Sequence, residues 1–183
     1  MFIYAANQFA VDGIILSTVT LLIAQRIGES FNLNGLAIGA ASAGGLILAA
    51  RSVLAAFLSP AIGRLSDRGT SRLPVISAGL AAGIIGFLIL LFARALLPIL
   101  AGVLVGALSA SVILVTLPAL VGDEAPEQSR ALVSGQLVAA GDVGSTIGPF
   151  LALNLAPLVG LEPVYLICVV LFGIGLVLVR IKE

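Results

Sequence analysis

The sequence predicts an all-α, polytopic membrane protein built as a six-helix transmembrane bundle, and three observations predict it. Of 183 residues, 60% are hydrophobic and 10% charged, against about 25% charged in an average soluble domain. Mean hydropathy is +1.23, and a water-soluble surface could not be covered with so few charges. The apolar runs are long, continuous and rich in Ala, Leu, Ile and Gly. A barrel would show short segments of alternating polarity, so helices satisfy the backbone polar groups here.

A hydrocarbon core of ~30 Å takes about 20 helical residues. Six segments reach that length: 2–25, 34–62, 74–93, 96–121, 131–157 and 162–180, together one transmembrane domain over 1–183. The first is apolar from Phe2 and lacks a basic flank, so it reads as a retained helix and not a signal peptide. Arg26-Ile27-Gly28-Glu29-Ser30 follows it. The second is expected to end at Gly63, with a loop running on to Arg72. Arg94 marks a tight turn between the third and fourth, and Asp123-Glu124-Ala125-Pro126-Glu127 separates the fourth from the fifth. Pro157 and Pro163 bracket the last turn.

Lys and Arg near the helix ends set the expected orientation. Arg64, Arg68, Arg72, Arg130, Arg180 and Lys182 fall on one side, and Arg26 and Arg94 on the other. Six against two predicts a multi-pass cell-membrane protein with both termini cytoplasmic. There is no Trp, so Tyr4 and Tyr165 are the candidates for an interfacial belt.

Several function classes fall away. The net charge is +0 and the pI about 6.2, which makes no electrostatic case for nucleic acid. No His is present, and the single Cys168 has no activating neighbour. That removes the common catalytic triads and zinc sites, so neither an enzyme, a metal nor a cofactor is expected. Gly79 with Gly83, Gly102 with Gly106, and Gly144 with Gly148 are each four apart. Each pair shares a helix face, where small residues let membrane helices approach closely.

The most distinctive stretch runs from Ser59 through Pro60, Gly63, Leu65, Asp67, Arg68 and Gly69 to Arg72. Gly63-x-Leu65-x-Asp67-Arg68, with Arg72 beyond, resembles the cytoplasmic loop signature of the major facilitator superfamily. The resemblance implies a loop between the second and third helices of a six-helix half, and a charge-paired latch on the cytoplasmic side. Gly144-x-x-x-Gly148-Pro149 in the fifth span resembles a helix-packing element of the same superfamily. Residues 126–130 with Ser134-Gly135 resemble the loop entering that helix, and with the end at Glu183 they imply a C-terminal half. Such transporters have two halves, each a 3+3 inverted repeat. A second six-helix half or a homodimer is therefore an expected partner, beside the lipid bilayer and a small-molecule substrate.

Three ionisable residues fall far from any predicted helix end: Asp12, Arg51 and Asp142. At 1.5 Å per residue they lie roughly 15, 18 and 17 Å from the cytoplasmic end. Charges at such depth face a cavity or pair with one another. Gln8 shares a face with Asp12. Ala40, Gly44, Arg51, Ala55 and Ser59 form a stripe on the second span; Gly135, Asp142, Ser145, Thr146 and Pro149 form one on the fifth. Both stripes suit contact with protein or water.

Two readings of the charges stand. Arg51 pairs structurally with Asp142 or with Asp12, or it meets an anionic substrate while an aspartate exchanges protons. The expected function is secondary active transport of a small solute by alternating access, with proton coupling. The alternative is a non-transporting membrane fragment or scaffold without its partner half.

Overall fold

The computed structural model describes residues 1–33, 36–68 and 71–181. Among the described residues, six helices are long and apolar enough to cross a membrane. Helix α1 (Phe2–Arg26) is α-helical except over Gln8–Ile15, which winds as a π-helix. Helices α2 (Ala40–Arg68), α3 (Leu73–Phe92) and α4 (Leu96–Glu124) follow. A short 3₁₀ turn (Glu127–Ser129) leads into α5 (Arg130–Val159), and α6 (Glu162–Arg180) completes the bundle.

The second span differs from its expected bounds at both ends. Its first residues belong to an antiparallel hairpin, β1 (Ser30–Leu33) with β2 (Leu36–Gly39), in register Phe31↔Ile38 and Leu33↔Leu36. Asn34-Gly35, which lies outside the described residues, is the dipeptide that favours a two-residue hairpin. At the other end α2 continues past Gly63 to Arg68. Gly63 is not among the glycines of positive φ, which among the described residues are Gly28 and Gly160, so it does not cap the helix in the way a left-handed glycine would.

Burial separates the helices into three pairs. In their most apolar stretches, α1 and α4 are each 61% buried, α3 and α6 39% and 33%, and α2 and α5 only 11% and 22%. Packing crosses two of these pairs: α1 lies along α5 and α2 along α4, while α3 lies against both α4 and its own pair-mate α6. Mapping the first three helices onto the last three exchanges the first two contacts and returns α3–α6 to itself. That is the contact pattern an inverted repeat produces. The repeat is incomplete, since α3 packs on α4 more extensively than α6 does on α1.

The core is aliphatic with a small aromatic centre. Phe87 of α3 stacks, tilted, against Tyr165 and Phe172 of α6, at ring-centroid distances of 6.0 and 5.8 Å. Tyr165 is 1% exposed, and its hydroxyl shares a 3.0 Å hydrogen bond with Thr18 of α1. It is therefore a core residue and not part of an interfacial belt. Cys168 is fully buried beside it on α6. Glycines bring α3 and α4 together: a Cβ on Gly86 would lie 2.9 Å from the backbone nitrogen of Gly106.

Candidate functional site

Asp12 and Arg51 meet because α1 and α2 run antiparallel in close contact. The helices touch where a Cβ on Gly44 would collide with Thr20. About two turns back along α1 and two turns on along α2, the same face carries Asp12 and Arg51. Arg51 Nη2 donates to Asp12 Oδ1 in a salt bridge. The two side chains are 13% and 25% exposed. Among the described residues, Arg51 Nε is buried without a hydrogen-bond partner, as is Gln8 Oε1.

The π-helical stretch holds both Gln8 and Asp12. Such segments widen a helix turn and are frequent at functional sites. Nothing in the hydropathy of 8–15 announces it. It lies along the contact with α5, where backbones touch directly. A Cβ on Gly148 would sit 2.7 Å from both Gly13 Cα and Phe9 O, and one on Gly144 would collide with Ala5 O. One on Gly13 would lie 3.3 Å from Pro149 Cδ. The Gly144-x-x-x-Gly148-Pro149 segment is thus the surface on which the Asp12-bearing turn rests.

Asp142 lies on the other side of α5. Leu137, Gly141, Gly144, Gly148, Ala152 and Ala156 are that helix's buried face. Asp142, with Gly135 and Thr146, is exposed, and Ser145 and Pro149 are half-buried. The polar stripe of α5 therefore points out of the bundle, whereas Ala40, Gly44, Arg51, Ala55 and Ser59 of α2 are buried or half-buried. Tyr4 connects the two sides. Its ring packs on Gly141, where a Cβ would lie 2.5 Å from Tyr4 Cε1 and 3.1 Å from Gln8 Cγ. Its hydroxyl is within electrostatic reach of both Asp142 and Asp12. Ser145 and Thr146 bond back to the Asp142 carbonyl oxygen, at 3.0 and 2.7 Å.

A second charged centre closes the end of the bundle where α2 meets α3. Arg72 donates from Nε to Asp123 Oδ2 at 3.0 Å and from Nη1 to Ser66 Oγ at 2.8 Å. Its Nη2 lies 3.0 Å from Asp67 Oδ1. The guanidinium thereby ties α2, α3 and α4. Burial lowers its pKa, but the bonds to Asp123 and then Asp67 more than offset this, so the net shift is upward. Of the other loop-signature residues, Leu65 is 62% exposed and Gly63 faces Val115. The Arg68 side chain, Gly69 and Lys182 lie outside the described residues.

Sequence reasoning missed Ser66 and Asp123, the partners that complete this centre. Ser66 is 1% exposed; a serine between Leu65 and Asp67 carries no signal of burial. It also missed the salt bridge between Arg26 and Glu162 at the opposite end. Among the described residues no group of three or more His, Cys, Asp or Glu could hold a metal ion.

No curated protein matches the chain. A family model described as the Major Facilitator Superfamily matches residues 1–183. With six membrane-crossing helices paired as in an inverted repeat and ionisable groups set within their spans, the chain belongs to the Major Facilitator Superfamily and is a membrane transport protein.

Proposed function

We propose that the chain is one six-helix half of a secondary transporter that moves a small solute by alternating access. The observation carrying this reading is the exposed face of α2 and α5, the two least buried spans. On and beside it lie Asp12, Arg51 and Asp142, at depths where unpaired charge is costly. A face that presents an aspartate mid-span suits a second bundle and a solvated cleft better than acyl chains. The second bundle is another six-helix half or a second copy of this chain.

The bias of basic residues supports placing both termini and the Arg72 centre on the cytoplasmic side of the cell membrane. There Arg72, Asp67 and Asp123 act as a latch on the bundle end. The likeness of residues 126–135 to the family's fifth-helix entry supports the C-terminal half. Asp12 and Asp142 are the candidates for proton coupling, with Arg51 and Gln8 shaping the environment of Asp12. Gly144, Gly148 and Pro149 hold that environment in place.

The test is flux into proteoliposomes, with co-purifying chains retained, across a panel of anions, sugars and hydrophobic cations. Solute movement that follows a proton gradient, and loses that dependence in Asp12→Asn or Asp142→Asn, is expected. Unchanged coupling in both variants would sink the coupling role. Folded protein that moves no solute with its co-purifying chains present would favour a non-transporting scaffold.

A further inference from the structure

We propose that the substrate of this site is cationic, an ammonium or other organic cation whose charge is answered by Asp142. The inference rests on the transport reading above and adds to it the sign of the ligand. Three charges are placed in the spans of α1, α2 and α5: Asp12, Arg51 and Asp142. The Arg51 guanidinium is engaged by Asp12. Among the described residues no salt bridge reaches Asp142, which is exposed on α5. The three groups carry one net negative charge when ionised.

The hydrogen-bonding groups point the same way. The Ser145 and Thr146 hydroxyls, which could have donated to an anion, are directed to the Asp142 carbonyl oxygen instead. Val143, Ile147 and Phe150 are exposed along α5 beside and beyond Asp142, and supply apolar contact for an organic substituent.

An anion would have to draw on Arg51. That contact competes with Asp12, and removing one partner of a buried pair leaves the other charge uncompensated. A cation needs no such rearrangement. It meets an exposed carboxylate and leaves the Asp12–Arg51 pair intact.

Two probes of one shape and opposite charge test this: tetraphenylphosphonium and tetraphenylborate, with benzyltrimethylammonium as a less lipophilic cation. Binding is measured to the purified protein, with any co-purifying chain, in zwitterionic nanodiscs against empty discs. The expected result is saturable binding of a cation probe and none of tetraphenylborate. Asp142→Asn should weaken cation binding about tenfold or more, Asp142→Glu should retain it, and Glu127→Gln should leave it unchanged. Cation binding that is absent, or unchanged in Asp142→Asn, overturns the proposal. So does saturable tetraphenylborate binding that disappears in Arg51→Ala. Each of those results leaves the transport reading standing if the proteoliposomes still move solute; loss of all flux would strike that reading instead.

Discussion

Two arginines in this bundle each pair with aspartate, and their surroundings differ. Arg72 sits at a helix end and bonds to Ser66, Asp67 and Asp123, spread over α2 and α4. Both of its carboxylates are well exposed, at 67% and 64%. Arg51 sits within a span and, among the described residues, is bound by Asp12 alone and keeps a buried Nε without a partner. The first is a guanidinium whose fork is filled, which suits a fixed latch. The second is held by one bond in a low dielectric, where each remaining interaction counts for more. A rearrangement at Arg51 exchanges one contact; a rearrangement at Arg72 must break three.

Three perturbations would break or sharpen that contrast, from the largest effect down. Gly148→Leu should separate the two centres most sharply. Its added atoms meet backbone at Gly13 and Phe9, 2.7 Å away, so the cost should pass the ~3 kcal/mol that usually bounds overpacking. It should displace the Asp12-bearing turn while leaving the Arg72 centre assembled. Folded yield and thermal unfolding in detergent measure the first effect. Crosslinking between cysteines placed at Ser71 and Glu124, which flank the centre and leave Arg72 and its partners in place, reports the second. Wild-type-like stability would show that the α1–α5 seam is looser than its backbone contact.

Arg51→Ala comes next. It strands Asp12 in a half-buried setting and should cost about 3 kcal/mol. Combining it with Asp12→Ala should recover most of that loss, because the orphaned charge goes too. A double variant as unstable as the single one would mean that Arg51 acts through its packing instead. Arg72→Ala should have the smallest effect, about 1 kcal/mol, given its exposed partners. Its effect should shrink as salt is raised from low to near-molar concentration, and that of Arg51→Ala should change little. Equal salt sensitivity at the two sites would erase the distinction.

Much of the fold was legible because hydropathy acts locally. A run of about 20 apolar residues declares a span wherever its neighbours end up, and all six spans were found that way. The misreadings fall where a backbone conformation decides. Asn34-Gly35 separates two short stretches that pair as strands, yet the second of them, Leu36–Gly39, runs into the hydropathy of α2 without a break. Gly63 looks like a helix stop, but it caps only in a left-handed conformation that it does not adopt.

The candidate site was legible as a set of residues and not as an arrangement. Asp12, Arg51 and Asp142 stand out because charge is expensive in lipid. Which pair forms depends on helix rotation and on the Thr20–Gly44 contact that brings α1 onto α2. Tyr165 shows the same limit, since an interfacial tyrosine and a core tyrosine bonded to Thr18 have the same local sequence context.

By itself, then, the sequence determined the solvent, the number of spans and the list of groups that lipid would penalise, all sums over neighbours along the chain. The tertiary structure alone decided which groups meet. It placed Asp12 on Arg51, gathered Ser66, Asp67 and Asp123 around Arg72, and turned Asp142 outward by giving the opposite face of α5 to the glycine seam. Apolar burial is non-directional and can be counted from composition. A salt bridge needs two side chains within a few ångströms, and that follows only from how the helices cross.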